Sequence, residues 1–394
     1  MRILVLNQYY PPDSANTARL LADWLEALAV ENDVQIITGR PSYGAAGPVT
    51  AGRVRVTRVP SLGFGRGTLV ARALTYLSYL VFAAARSLFT RRPDVIVALT
   101  DPPVIGAVGA LAAARYRRPL VLVTHDMHPD IGLAMGVLKE GIAVGLWRAA
   151  NRLTRSRAHT IVVVGRDMER RFEQQGVPAD KLVYVPTWAS GEALDAVARE
   201  ELRARHGWTG SFIVMHAGNM GMAQNLMMVP DVARRLQEHP DVRIVLLGDG
   251  PARPALIAEL ARRGLKNVEL LQSLPRVEAQ ALMSAADLHL ISLIPGLRGC
   301  AAPSKTYGAM AAGRPFIAAV DQGSEPQLIA DECDCGARVE PGDAEAVAAT
   351  ILKMRSSPLN AMGARARAGY ELRFTQERCI AQLASVLDHA AANA

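Results

Sequence analysis

The chain is 394 residues long, half of them hydrophobic and only 5% aromatic, with a formal charge of +7. That length suggests two or three domains at ~150 residues each, with enough apolar residues to bury sizeable cores. The charge suits an anionic small molecule, a membrane surface or nucleic acid, and does not choose among them. The four cysteines are Cys300, Cys333, Cys335 and Cys379. Cys333 and Cys335 are too close for an ordinary metal pair and no histidine cluster joins them, so reduced cytoplasmic thiols are the expectation.

The opening MRILVLNQYY has no long apolar region of the signal-peptide kind and reads as a first strand. RILVLN is a continuous apolar run, as a parallel strand buried on both faces should be. The loop YYPPDSANT follows, then a helix over about 17–28 and strands at DVQIITG and RVRVTRV. A long apolar segment, 68–90, precedes DVIVALT, PLVLVTH, HTIVVVG and KLVYVP, the last closing this series near Pro186. After a less patterned bridge over 186–210 the rhythm restarts with FIVMHAG, VRIVLLGDG, NVELLQ, DLHLIS, PFIAAV and ARVEP. Alternating strands and helices predict parallel sheets with right-handed crossovers. Two such series predict an α/β chain of two doubly wound domains, with ligands beyond the carboxyl ends of the strands.

The loops after the strands therefore carry the chemistry. The richest is 303–325, PSKTYGAMAAGRPFIAAVDQGSE. Pro303 and Ser304 open a short Ala-rich helix that stops at Gly313, a strand ends at Asp321, and Gly323, Ser324 and Glu325 open another helix. Helix N-termini attract phosphate. Lys305 stands in a first turn, where it makes sense if it reaches forward to an anion. Gly218-Asn219-Met220-Gly221, then Gln224 and Asn225, follow the first strand of the second series. Gly248-Asp249-Gly250-Pro251 and Ser273-Leu274-Pro275 follow the next two. Each alone is an ordinary turn; together with Lys305 they mark one site. In the first series, His125-Asp126-Met127-His128-Pro129-Asp130 places two histidines and two aspartates just past a strand end, which favours a site.

The segments QYYPPDSANTARL, HDMHPDIGLAMGVL, HAGNMGMAQNL, LLGDG and PSKTYGAMAAGRPFIAAVDQGSE occur in one order over nearly the whole chain. In these the chain resembles the GT-B glycosyltransferases, specifically the retaining family four and its bacterial polysaccharide and lipid-linked glycan branch. The resemblance implies two Rossmann-like domains facing a cleft: an acceptor-binding domain at 1–186 and a nucleotide-sugar domain at 187–374. A closing helix, 375–391, would pack back on the first. It implies a nucleotide-diphosphate sugar as substrate, with no metal and no further cofactor. Donor contacts would come from Gly218, Asn219, Asn225, Gly248, Asp249, Gly250, Leu274, Ser304, Lys305, Thr306, Tyr307 and Glu325. Acceptor contacts would come from Tyr10, Asp13, Asn16, His128 and Asp130. His125 would touch the donor sugar or acceptor near the reacting carbon, with Asp126 orienting it or accepting a hydroxyl hydrogen bond.

The chain also departs from that family. The family's paired glutamates, spaced E-x7-E, are missing: Gly308 stands at the second position, and 298–300 offers no acid. The family's Arg and Lys after the first strand of the second domain are replaced by Met222 and Gln224-Asn225. Lys305 is then the remaining diphosphate cation, aided by the N–H groups of Thr306 and Tyr307. Glu325, Asn219 and Asn225 become the expected substitutes for ribose or sugar contacts.

The segment 73–85, ALTYLSYLVFAAA, is apolar on all sides and flanked by Arg66, Arg72, Arg86, Arg91 and Arg92. A bilayer span needs ~20 apolar residues, so it is too short to cross. A buried helix is its ordinary reading. Arg148, Arg152 and Arg155 share one helical face with Arg157 close by, and apolar surface beside arginines is how a protein lies on an anionic leaflet. The expected place is cytoplasmic, peripheral on the inner face of the membrane. Nucleic acid is not expected, since no binding motif is present. A transferase is favoured over a nucleotide-sugar epimerase or hydrolase, and over a non-catalytic partner subunit.

Overall fold

The computed structural model describes residues 1–13, 16–41, 52–62, 69–189, 191 and 193–393. Seven strands, β1 (Arg2–Leu6), β2 (Asp33–Thr38), β3 (Arg55–Arg58), β4 (Val95–Ala98), β5 (Leu120–Thr124), β6 (Thr160–Val163) and β7 (Leu182–Tyr184), form one parallel sheet. Its spatial order is β3-β2-β1-β4-β5-β6-β7, so the order reverses between β1 and β4. The helices between them are α1 (Asn16–Leu28), α2 (Leu69–Ser87), α3 (Ile105–Tyr116), α4 (Asp130–Ala134), α5 (Ile142–Arg157) and α6 (Arg166–Gln174). The apolar run 68–90 is thus a helix over 69–87.

Period-2 alternation assigns the two faces of this sheet. Ile3, Val5, Val97 and Val121 pack with Trp24 and Leu25 of α1. Leu4, Leu6, Ile96 and Leu122 point the other way, onto Tyr79 of α2 and Ile105 and Val108 of α3. The Tyr79 hydroxyl donates to the Ile37 carbonyl at 2.9 Å, which satisfies its one polar atom inside the core.

The second sheet contains β8 (Phe212–Ala217), β9 (Val242–Leu247), β10 (Val268–Leu271), β11 (Leu288–Ser292), β12 (Phe316–Ala319) and β13 (Gly336–Val339). It is also parallel, in the order β10-β9-β8-β11-β12-β13, and reverses between β8 and β11. Its helices are α7 (Ala196–Arg205), α8 (Val229–Arg235), α9 (Arg253–Arg262), α10 (Arg276–Ala285), α11 (Lys305–Ala311), α12 (Glu325–Cys333), α13 (Ala344–Arg355) and α14 (Leu359–Arg373). The weakly patterned bridge holds α7, capped by the Asp195 carboxylate accepting from Ala198 N at 2.8 Å. The last helix, α15 (Gln376–Ala392), buries Cys379, Leu383, Leu387 and Ala390 in the core of the first sheet, beside Trp24 and Val97.

The two sheets are joined at several points besides the chain. Met127 N donates to the Cys300 carbonyl at 2.8 Å, and Asp126 and Ala301 form an isolated antiparallel bridge. Gly299 N donates to the Asp167 carboxylate at 2.9 Å. Met127, Met168 and Phe172 share one apolar cluster with Leu297, Cys300 and Tyr307. The post-strand loops of one sheet therefore touch those of the other.

Candidate active site

Two glycine-marked loops at the β8/β9 carboxyl ends lie backbone against backbone. Gly248 and Gly250 have φ of +139° and +154°. A Cβ on Gly248 would come within 2.0 Å of the Gly218 carbonyl, and one on Gly250 within 2.6 Å of the Met220 carbonyl. Only glycine tolerates both the conformation and the approach. Met220 N donates to Asp249 O at 2.8 Å, which locks the two loops together. The resulting floor leaves room for the Lys305 side chain, whose Cε lies 3.3 Å from where a Gly218 Cβ would be.

Lys305 Nζ donates to the Gln224 side-chain oxygen at 2.9 Å, and no carboxylate pairs with it among the described residues. Burial pulls its pKa down to about 8, so it is still mostly protonated near neutrality. His216, at the end of β8, is buried and pushed down to about 3 by desolvation and by the Lys305 charge, so it is neutral. Lys305 is thus a cation whose partner and histidine neighbour among the described residues are neutral, close to where the order of the second sheet reverses.

The other expected donor residues divide. Asn219 is exposed beside Gly221, Asn225 has a left-handed φ of +51°, and Asp249 accepts from Gly250 N at 2.7 Å. Leu274 follows the edge strand β10, two strands away from β8. Ser304 occupies the N-cap position of α11, but its hydroxyl makes no cap hydrogen bond. The Thr306 amide donates to the Pro303 carbonyl at 3.1 Å, so it is not the open donor the sequence suggests. Its buried hydroxyl, by contrast, has no partner among the described residues. Tyr307 is core: its hydroxyl faces the Val164 carbonyl at 3.4 Å and its ring packs on Phe374.

Glu325 does not face open space. It is 1% exposed and accepts from Arg166 N at 2.8 Å, Arg166 Nε at 3.1 Å and the Tyr184 hydroxyl at 2.8 Å. Arg166 also reaches Glu332, which in turn pairs with Arg373 at 2.7 Å. Glu325 and Glu332 therefore clasp the first sheet's α6 to α12, where the sequence suggested Glu325 as a ribose or sugar ligand. Gly308 is buried, and a Cβ there would approach Met283 Cε at 2.8 Å.

On the first sheet, His125 and Asp126 follow β5. Burial pushes His125 down to about 4, leaving a neutral imidazole. Burial pushes Asp126 up to about 7, and the Asp101 charge adds to this. Asp101 follows β4 directly and was not singled out in the sequence; an acid immediately after ALT was the available signal. Its carbonyl accepts from Gln8 N at 2.7 Å, and its carboxylate from the Thr17 hydroxyl at 3.4 Å. The acceptor candidates scatter. Tyr10 and Asp13 are buried, and the Asn16 side chain lies outside the described residues. His128 stacks at 6.2 Å on Trp147 of α5, and Asp130 pairs with Arg148 at 3.6 Å and Arg171 at 3.3 Å. His128 and Asp130 thus join Asp126 around a cavity of about 400 Å³ between α3 and α5.

Two family descriptions match in sequence order: a glycosyl transferase 4-like domain over residues 14–188, and glycosyl transferases group 1 over 211–357. Among curated proteins, the chain is 27% identical over 332 residues to WbjE of Pseudomonas aeruginosa, named a probable glycosyltransferase, covering 80% of this chain and 82% of that one. It is 24% identical over 376 residues to WcaI of Escherichia coli K12, named for colanic acid biosynthesis, covering 89% and 91%. Among solved structures, HepE of Anabaena, crystallised with UDP and glucose, superposes with a TM-score of 0.73 at 19% identity, covering 98% and 99% of the two chains. WaaG, a glycosyltransferase involved in lipopolysaccharide biosynthesis, gives 0.72 at 15%, again covering 98% and 99%. With two parallel sheets meeting at their carboxyl ends and these matches over both halves, the chain is a family-four glycosyltransferase of the GT-B fold.

Proposed function

We propose that this transferase takes its sugar from a nucleotide diphosphate lodged against the second sheet and delivers it, with retention, to a lipid-linked acceptor on the first sheet, in polysaccharide synthesis. The observation that carries the reading is Lys305, a cation whose partner among the described residues is the neutral Gln224, beside the stacked Gly218 and Gly248 loops. The hard step is departure of the nucleotide diphosphate from an oxocarbenium-like centre. Charge grows on the leaving phosphates as that bond breaks, and a fixed ammonium stabilises it without a metal. Neutral His125 can hydrogen-bond a sugar hydroxyl near the reacting carbon, and Asp126 can accept one from the acceptor. With Glu325 engaged elsewhere, Asn219 and Asn225 are the groups left to hold ribose or sugar. The UDP bound to HepE makes UDP the first nucleotide to try, and the name of WcaI, for colanic acid biosynthesis, supports the polysaccharide setting. Residues of α2 and α5 would rest on the anionic inner leaflet.

Calorimetry with UDP and other nucleoside diphosphates tests this. Binding of one of them, lost on Lys305→Ala, is the expected result. Equal affinity in the variant would remove Lys305 from the donor site.

A further inference from the structure

The cavity between α3 and α5 is lined by residues of the first sheet and its helices, Lys305 not among them, and its lining is of two unlike kinds. Asp126 and Thr124 stand at the strand end, Leu99, Val104 and Leu122 give an apolar floor, and arginines of α5 line the other side. Two of the local arginines are neutralised: Arg148 by Glu140 at 2.9 Å and by Asp130, and Arg171 by Asp130. Arg152 is exposed and has no carboxylate partner among the described residues. Arg155 is held by neutral groups, Gln175 at 2.6 Å and the Asn151 carbonyl at 3.3 Å, with its guanidinium 5.1 Å from the Phe172 ring centre. Burial depresses its pKa, the neighbouring Arg152 charge adds to this, and the Asp130 charge opposes it. Two surplus guanidiniums beside an apolar floor fit an anion joined to an apolar stem, and guanidiniums suit phosphate.

The outward side of α5 says where that stem goes. Ile142, Leu146 and Leu153 are 86%, 67% and 61% exposed. At four and seven residues apart they form one stripe, so the helix turns apolar residues to solvent beside its own arginines. Resting on the transferase reading above, we propose that this cavity holds the phosphate-bearing end of a lipid-linked acceptor, its phosphate on Arg152 and Arg155. The sugar is then directed to Asp126 and the lipid leaves along the Ile142–Leu146–Leu153 stripe.

The test uses the full chain and farnesyl phosphate below its micelle concentration, followed by calorimetry. Charge-assisted hydrogen bonds to phosphate are worth enough that Arg152→Gln and Arg155→Gln should each weaken binding by roughly tenfold or more. Because Arg152 is exposed, its substitution leaves the fold alone. Farnesol and inorganic phosphate should each bind far more weakly than farnesyl phosphate. Equal binding of farnesol would leave only an apolar patch, and equal binding of inorganic phosphate only a free-anion site; either overturns the proposal. So does probe affinity that ignores both substitutions, or UDP affinity falling in parallel with it. A wild-type chain that binds the probe but no nucleoside diphosphate would support the cavity and count against the donor reading alone.

Discussion

Lys305 stands in the first turn of α11, where the helix end repels a cation and burial costs it further. It is held there by one neutral hydrogen bond to Gln224. A diphosphate would offset both costs, so Lys305→Ala should weaken UDP binding by roughly one to two orders of magnitude, read by calorimetry. The same logic fixes a pH dependence. A lysine with a pKa of about 8 is protonated below that value and neutral above it, so UDP affinity should fall as pH rises from 7 to 9. In Lys305→Ala that fall should vanish; a slope that survives the substitution would assign it to another group. Asp126 runs the opposite way. With its pKa raised to about 7, it is a proton acceptor only above neutrality. Turnover should therefore rise through pH 7 and lose that limb in Asp126→Asn. Gly308 is a different case, because absence of a family glutamate could mean either decay or a changed donor mode. A side chain there meets Met283 at once, and the site is buried. Gly308→Glu should therefore leave rate and donor affinity no better than wild type; a gain in either would show a degraded transferase.

Helix α12 shows how an element can read one way in sequence and work another way in space. Its opening, Ser324-Glu325-Pro326, is a helix start in any reading, and the helix is there. What its glutamate binds was not legible, because Arg166 and Tyr184 are 159 and 141 residues away. The same holds for the cavity between α3 and α5, which needs two helices and a strand end brought together. The strands, by contrast, were legible, since a strand buried on both faces must be a nearly continuous apolar run, as VIVA and the first four residues of LVLVT are. The setting of Lys305 was legible for a related reason: it depends on its own helix and on one neighbouring loop. Thr306 shows the limit of that approach, since its amide closes a turn onto Pro303 and only the folded backbone reveals it. The clasp made by Glu325 carries its own prediction. Its side chain is 2% exposed, and removing it takes the acceptor from Arg166 N and from the Tyr184 hydroxyl and leaves the Arg166 guanidinium with Glu332 alone of its two carboxylate partners among the described residues. Glu325→Ala should destabilise the chain by roughly 3 kcal/mol in denaturant unfolding. A change within about 0.5 kcal/mol, the range for a surface substitution, would show that the clasp adds nothing.

Across the whole molecule, the two sheets turn their carboxyl ends toward each other, and α15 crosses back to seal the core of the first. That arrangement puts post-strand loops of both sheets inside the meeting of the two halves, with α2 and α5 away from those contacts. Helices α2 and α5 both pack against α3, and both carry exposed apolar residues: Leu77, Val81 and Phe82 on one, Ile142, Leu146 and Leu153 on the other. Arg86, Arg91, Arg92, Arg152 and Arg157 lie along the same two segments; Arg66 lies outside the described residues, as does the Arg72 side chain. Among the described residues no helix is long and apolar enough to cross a membrane. A surface that keeps large apolar side chains in water beside arginines would be stabilised by an anionic leaflet, with charge supplying the approach and apolar contact the hold. These two contributions respond differently to salt, because only the first is screened, over about 8 Å at physiological ionic strength. The chain should co-sediment with vesicles containing anionic lipid at low salt and lose most of that binding as salt rises. Leu146→Asp, which spares every arginine, should weaken binding even at low salt. If the wild type ignores anionic vesicles at low salt, the exposed stripe is not a membrane contact.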